Sequence, residues 1–356
     1  MHKVSRPREE AQMQPELCVT TSVATAPERA LNTLRAYADH PSALLALNRH
    51  TLRFQVPDIG GMIAYRFAGR AHVVMVAGIT AAPDKRAALL DRFLQWACRE
   101  RRKVVAVQLL RGDAELFVSR GFSVNQIGAS YSVTLEQFKL SGTPFIKLRN
   151  KISRARRSGV RVLELGADLS ATAPLWDAIA TIDREWIGEK GAKELAFLIG
   201  EVGAPADFDR SYKRIFVAML NDTPVAYVLY TASFGQHAGW MHDLSRRKPD
   251  APSGVMELIN VTAVERFIAE GARMLNFGFT PLTSLNPAHE LPAFSRMTAW
   301  AFQQLAQHGS FIYPAQAQLQ YKLKWAPDLV QPEYVAFERG GTLGGLWQFL
   351  RLTRAI

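Results

Sequence analysis

Cysteine is scarce in this sequence, with two residues among 356. Cys18 and Cys98 lie far apart and have no CxxC spacing or histidine-rich neighbourhood, so neither a zinc site nor a disulfide scaffold is indicated. The eight histidines form no HExxH pattern and no GxSxG segment occurs, which excludes the common metal and serine-nucleophile motifs. We therefore predict no metal and no covalent nucleophile, and a reducing cytoplasm is the expected location.

Long apolar runs are also lacking. The most apolar stretch, 73–82, ends at Pro83 and falls short of the roughly 18 residues that a membrane span needs. The first 30 residues mix charged residues with prolines and contain no apolar core that ends at a small-residue cleavage site. The sequence thus predicts no transmembrane segment and no export signal, and we expect residues 1–30 to be a flexible segment.

Positive charge is abundant, since 43 Lys+Arg against 32 Asp+Glu give a net charge of +11. Such a balance favours polyanionic partners, either nucleic acid or an anionic membrane surface. Hydrophobic residues make up 48% and charged residues 21%, which is ordinary globular usage and excludes a wholly disordered chain. The length predicts two or three packed units.

The chain contains the same order of elements twice. Strands are predicted at 61–67, 72–79 and 104–110 around a helix that opens at 83–84, and again at 214–220, 224–230, 239–244 and 274–279 around a helix at 254–269. Between the two halves, residues 147–161 carry seven basic and no acidic side chains, while Leu148, Ile152 and Ala155 recur at helical spacing. This pattern predicts a duplicated mixed α/β fold with a basic helical connector.

Five ordered motifs over residues 40–340 resemble the soluble catalytic region of the aminoacyl-phosphatidylglycerol synthases, also called multiple peptide resistance factors. The first motif is Phe138-Lys139-Leu140-Ser141-Gly142 with Lys147-Leu148-Arg149-Asn150-Lys151, and the second is Asp183-Arg184-Glu185-Trp186 followed by Lys190, Phe197 and Gly200. The other three are His242-Asp243-Leu244-Ser245-Arg246 with Pro249 to Glu257, Asn276-Phe277-Gly278-Phe279-Thr280-Pro281, and Tyr321-Lys322-Leu323-Lys324-Trp325. Four positions depart from the family pattern: Ser245 stands for Met and Glu257 for Asp, while Gln331 and Glu333 stand for the Glu and the Arg of a Trp-Glu-Pro-Arg-Tyr segment.

The resemblance implies two tandem acetyltransferase-like (GNAT) domains, which we expect at 31–140 and 167–340, joined by the connector 141–166. It also implies transfer of an aminoacyl group from aminoacyl-tRNA to phosphatidylglycerol, without a cofactor, by a cytoplasmic protein that is peripheral on the inner membrane face. Related free-standing members use a small amine or hydroxylamine as the acceptor. Two further alternatives stay open at this point, namely a non-catalytic RNA-binding protein and an acetyl-CoA-dependent acetyltransferase, although the glycine-rich loop of the latter is missing.

Asp243 and Arg246 are the predicted catalytic pair, on a loop that follows a strand. A guanidinium forms bidentate bonds to a phosphate or polarises a carbonyl oxygen, and a carboxylate orients a hydroxyl or accepts its proton. A local salt bridge that only fixes the loop is the alternative interpretation. Predicted substrate-binding residues are Gly254, Glu257, Asn276, Thr280, Asp183 and Trp186. For several of them a structural role is the competing hypothesis: helix entry at Gly254, a bulge near Gly278 or a core Trp186.

Clustered cations predict the tRNA contacts. Arg154, Arg156 and Arg157 of the connector suit backbone phosphates. A strand at 321–325 would place Lys322 and Lys324 on one face for the tRNA 3' end, with Trp325 stacked on a base, unless this is a solvated edge strand. The tail 341–356 is amphipathic, which fits either an anionic membrane surface or docking onto the domain.

Overall fold

The computed structural model describes residues 27–190, 198–292, 294–308 and 315–338. Strands are β1 (Leu52–Val56), β2 (Ile59–Ala68), β3 (His72–Thr80), β4 (Lys103–Leu109), β5 (Ser123–Thr134), β6 (Arg161–Glu164), β7 (Lys213–Leu220), β8 (Thr223–Ser233), β9 (Gly239–Arg247), β10 (Met274–Pro281) and β11 (Leu329–Phe337). Helices are α1 (Pro27–Tyr37), α2 (Arg86–Arg99), α3 (Arg111–Ser119), α4 (Ile146–Arg157), α5 (Ala173–Lys190), α6 (Val255–Ala269), α7 (Arg296–His308) and α8 (Ala315–Leu323).

All described strands join one sheet in the order β1-β2-β3-β4-β11-β5-β10-β9-β8-β7-β6. Each half contains one parallel pair connected by a helix, β3-α2-β4 and β9-α6-β10, so the prediction of a mixed α/β fold is confirmed. The C-terminal strand β11 lies between β4 and β5. The last strand of the second half thus completes the sheet of the first half, an arrangement that local sequence periodicity does not encode.

Four apolar clusters hold helices against the two sheet faces. Helices α4 and α6 pack on one face of the second half, and α5 packs on the other. In the first half, α2 and α3 cover one face, while α1 and the 3₁₀ turn Ala43–Leu47 cover the face that continues toward α5. No described helix has the length and apolarity that crossing a membrane requires.

The connector forms α4, whose buried residues are Leu148, Ile152 and Ala155, the stripe that the helical spacing predicts. Helix α1 begins at Pro27, so the last residues of the segment predicted as flexible at 1–30 are helical. Residues 1–26 and the tail 341–356 lie outside the described part of the chain, and the predictions for them stay predictions, as does the division into two tandem domains.

Candidate active site

A β-bulge in β9 sets the directions of Asp243 and Arg246. On β8, Leu229 lies opposite Leu244 and the next residue, Tyr230, lies opposite His242, so Asp243 is the extra residue of the bulge. Side chains alternate along a strand, and the extra residue turns Asp243 to the α5 face that Arg246 also occupies. The prediction that this pair lies on a loop is wrong, because β9 continues to Arg247.

The carboxylate of Asp243 is held by two donors. The backbone N–H of Gly200 donates to Oδ1 at 2.6 Å and the hydroxyl of Thr231 donates to Oδ2 at 3.0 Å. A Cβ atom at position 200 would come within 2.1 Å of Oδ2, so glycine is required for this close approach. Burial raises the pKa of Asp243, against the effects of these donors and of Lys213 and Arg246. A carboxylate with a raised pKa is a better proton acceptor than an ordinary one.

Arg246 is buried between α5 and the sheet. Its Nε donates to Asp183 Oδ1 at 2.8 Å, and its guanidinium lies 5.9 Å from the centre of the Trp186 ring. Asp183 also accepts a hydrogen bond from the hydroxyl of Tyr227 at 3.0 Å. The structure therefore brings the predicted pair together with Asp183 and Trp186, but the carboxylate of Asp183, a predicted substrate-binding residue, is engaged by Arg246.

A pocket of about 390 Å³ opens at the start of α6, next to Arg247 at the end of β9. Gly254 has φ +90° at the N-cap, and a Cβ atom there would come within 2.1 Å of the carbonyl oxygen of Lys151 in α4. Glu257 is buried, and its Oε1 lies 3.3 Å from Lys151 Nζ and 3.1 Å from Lys324 Nζ. Against the effect of burial, Lys324 and Lys151 lower the pKa of Glu257. The pocket combines a helix N-terminus with the cations of Lys151 and Arg247, an arrangement that suits a phosphate group.

Strands β9 and β10 pair only through Gly239–Met241 and Met274–Asn276 and then separate, which leaves a cleft between them. Strand β10 forms one wall of this cleft. Asn276 is fully buried and bonded to Ser132, Ser233 and the carbonyl of His237. Thr280 is also fully buried, and its hydroxyl has no hydrogen-bond partner. The predicted bulge at Gly278 is confirmed by the shifted register with β5 and by φ +65°. Thr280 is thus a predicted substrate-binding residue of β10 whose hydroxyl is left unpaired in the structure.

The prediction of a strand at 321–325 is wrong, because Ala315–Leu323 is helical. The Nζ atom of Lys322 donates to the carbonyl oxygens of Gly278 at 2.7 Å and Phe279 at 3.0 Å, and burial lowers the pKa of Lys322 to about 7. Trp325 is fully buried in the core, which excludes the predicted stacking on an exposed base. The apolar positions 321 and 325 fit helical spacing as well as strand alternation, so five residues could not distinguish the two.

The three connector arginines, Arg154, Arg156 and Arg157, are exposed on α4. Arg156 lies 4.0 Å from Glu265 of α6, and the other two form no ion pair with a described residue. Within the described ranges, no group of three or more potential metal ligands occurs. Sequence reasoning included Gly200 in the motif that begins at Asp183 but gave it no role, and it missed Thr231 and Arg247. Of these two, only Arg247, next to the predicted Arg246, carried a local signal.

Residues 31–337 match the family whose description is "Phosphatidylglycerol lysyltransferase, C-terminal". The chain is 26% identical over 227 residues to the lysylphosphatidylglycerol biosynthesis bifunctional protein LysX of Mycobacterium leprae, covering 63% of this chain and 19% of that protein. It is 25% identical over 265 residues to the phosphatidylglycerol lysyltransferase of Bacillus subtilis, covering 72% and 28%. The chain therefore spans a minor part of the length of these curated relatives.

Two solved structures share the fold. The C-terminal domain of a putative lysylphosphatidylglycerol synthetase from Agrobacterium fabrum has a TM-score of 0.76 at 19% identity, covering 94% of this chain and 99% of that one. L-PGS from Bacillus licheniformis has a TM-score of 0.73 at 20% identity, covering 92% and 95%. At these identities the likeness concerns the fold, and it confirms the fold that the sequence motifs predict.

Proposed function

Because the chain belongs to the phosphatidylglycerol lysyltransferase C-terminal family, we propose that it moves an aminoacyl group from aminoacyl-tRNA to an anionic phospholipid such as phosphatidylglycerol. The observation that carries the proposal is the bulge in β9, which turns Asp243 and Arg246 to one face beside the cleft between β9 and β10. An acceptor hydroxyl attacks the ester carbonyl there, a new ester forms, and the bond to the tRNA ribose oxygen breaks. The hydroxyl proton ends on that ribose oxygen.

Asp243 accepts or orients this proton, and its raised pKa supports the role. Arg246 stabilises the negative charge that develops on the carbonyl oxygen, with Asp183 fixing the guanidinium. The ester is already activated, so positioning and charge stabilisation supply most of the rate enhancement. The pocket at the start of α6, with Lys151, Arg247 and Gly254, takes a phosphate group of one of the two substrates.

Two surfaces support the proposed partners. The exposed Arg154 and Arg157 offer cations to the tRNA backbone. Phe294, Met297 and Trp300 are 37%, 65% and 62% exposed and recur at helical spacing around the start of α7. An exposed stripe of this kind, with tryptophan among it, suits the interface of a bilayer. It favours an acceptor presented by a membrane over a small soluble amine.

The test is to incubate the purified protein with tRNA charged with labelled amino acids and with liposomes of phosphatidylglycerol or of phosphatidylcholine. We expect the label to move into the organic phase with phosphatidylglycerol liposomes and not with phosphatidylcholine liposomes. Asp243→Asn should abolish transfer while tRNA affinity and melting temperature are kept. Asp250→Asn, an exposed acid after the same strand, is the matched control and should remain active.

Two other outcomes of this assay would refute the lipid acceptor. Label that moves into a water-soluble product in the presence of cell extract would identify a small amine or hydroxylamine acceptor. Label that stays on tRNA with every donor, together with salt-sensitive RNA binding that is indifferent to Asp243→Asn, would identify an RNA-binding protein without transferase activity.

A further inference from the structure

Among the residues that the structure describes, Glu164 and Glu333 are the two glutamates with no exposed surface, and their surroundings differ sharply. Glu164 accepts hydrogen bonds from Arg214, Arg210 and Arg266. Despite its burial, these guanidinium groups lower the pKa of Glu164 to about 2. A buried carboxylate that is compensated in this way serves the fold. Glu333 of β11 is equally buried, but no described arginine or lysine donates a hydrogen bond to it, although the charge of Lys322 acts on it.

The carboxylate of Glu333 has one satisfied oxygen and one free oxygen. Oε1 accepts a hydrogen bond from the Ser130 hydroxyl and lies 3.4 Å from Nε2 of His40, and Oε2 has no hydrogen-bond partner. Among the described residues, His40 is the only basic side chain in ion-pair contact with Glu333. Leaving a buried acceptor unsatisfied costs about 1–3 kcal/mol, and more when it is charged, so the position is costly for the free protein.

His40 connects this carboxylate to the cleft between β9 and β10. Nδ1 of His40 accepts the N–H of Ser42 at 3.0 Å, which places the proton of a neutral ring on Nε2, toward Glu333. The hydroxyl of Ser42 contacts Sδ of Met241, and a Cβ at Gly278 would touch the Met241 side chain. Met241 stands two residues before Asp243 on β9. The N-terminal half thus extends the face of the sheet that carries the proposed catalytic pair.

We propose that Glu333, positioned by His40, binds the primary ammonium group of the aminoacyl donor. The inference rests on the proposed function and assigns its donor recognition to a buried carboxylate contributed by β11. A cation at Oε2 supplies the hydrogen-bond donor that the surrounding residues do not. A buried group that is poorly satisfied without its ligand is a common cost of a binding site. The donor must therefore carry a free amine for productive binding.

The test is calorimetric binding of amino-acid amides, which retain the ammonium and the carbonyl of the donor. We expect alaninamide or lysinamide to bind the wild-type protein and their fully N-acetylated forms to fail. Glu333→Gln keeps the shape, and it should weaken amide binding by about tenfold or more because the charge is lost. His40→Asn retains an acceptor for the Ser42 N–H and should weaken binding less. Glu290→Gln, a partly buried glutamate that accepts the N–H of Gln126, is the control and should bind as wild type.

Thermal melting separates ligand binding from a structural role. Replacing a buried carboxylate whose Oε2 has no hydrogen-bond donor should leave the melting temperature of Glu333→Gln unchanged or raised, whereas a structural ion pair predicts a lower one. Three results would each overturn the proposal: a clearly lowered melting temperature of Glu333→Gln, undiminished amide binding by Glu333→Gln, or equal binding of free amides and fully N-acetylated amides. Absence of amide binding to the folded wild-type protein would overturn it as well.

The ligands also distinguish the two amines of a lysyl donor. Binding of alaninamide that depends on Glu333 assigns the site to the α-ammonium, and binding of Nα-acetyl-lysinamide assigns it to the side-chain ammonium. Failure of the proposed function has a different signature. Amide binding that depends on Glu333, without transfer from any charged tRNA, would refute the transferase alone. Transfer that is unchanged in Glu333→Gln for every donor would refute this inference alone.

Discussion

Replacement of Lys322 by methionine should remove a pH dependence of stability. Lys322 is 8% exposed, and burial lowers its pKa from 10.5 to about 7. Between these two values the unfolded chain binds a proton that the folded chain releases, so the free energy of unfolding rises with pH across this window. From about pH 7 to about pH 9 this lysine contributes an increase of about 2 kcal/mol. Methionine has a similar length and no proton to release, so the variant lacks this increase.

Urea unfolding followed by far-ultraviolet circular dichroism at several pH values measures the effect. Burial also lowers the pKa of Lys213, and this contributes a rise of the same sign to both proteins, so the difference between them isolates Lys322. Lys139→Met removes an exposed lysine and serves as the control, which should follow the wild type. Parallel curves for wild type and Lys322→Met would show that Lys322 keeps its proton in the fold and would refute the reasoning.

Three further predictions concern other parts of the chain. Gly254→Ala should destabilise the protein by about 2 kcal/mol or more, since the left-handed φ and the carbonyl of Lys151 exclude a Cβ atom; a melting temperature equal to wild type would contradict this. Arg154→Ala with Arg157→Ala should weaken tRNA binding and reduce its salt slope by about two, and an unchanged slope would remove both from the interface. Trp300→Ser should reduce flotation with anionic liposomes without loss of fold; unchanged flotation would exclude α7 from the contact.

The sequence specified its local elements well where the periodicity was long. The strand pairs and the helix of each half appear near their predicted bounds, because runs of six or more alternating, apolar or helically spaced residues leave little ambiguity. The stripe of Leu148, Ile152 and Ala155 is another example, since three positions at helical spacing describe one buried face. The short segment 321–325 was assigned incorrectly because both periods fit it.

The candidate site was predicted as a set of residues but without its geometry. The ordered motifs identified Asp243, Arg246 and Gly254 from the sequence alone. The direction of Asp243 depends on one extra residue in β9, and the register of β9 against β8 is a property of the assembled sheet. Its anchor, Gly200, belongs to the motif that begins at Asp183, and only the folded chain brings this glycine against Asp243.

Composition, length and motif order by themselves determined the fold class and the family of this protein, because these are properties of the chain read along its length. The tertiary structure alone decided that β11 crosses into the first half and that Glu333 meets His40. It also decided that Lys322 is buried instead of facing solvent. These features arise from contacts between segments far apart in the chain, and packing across the sheet selects them where no local pattern records them.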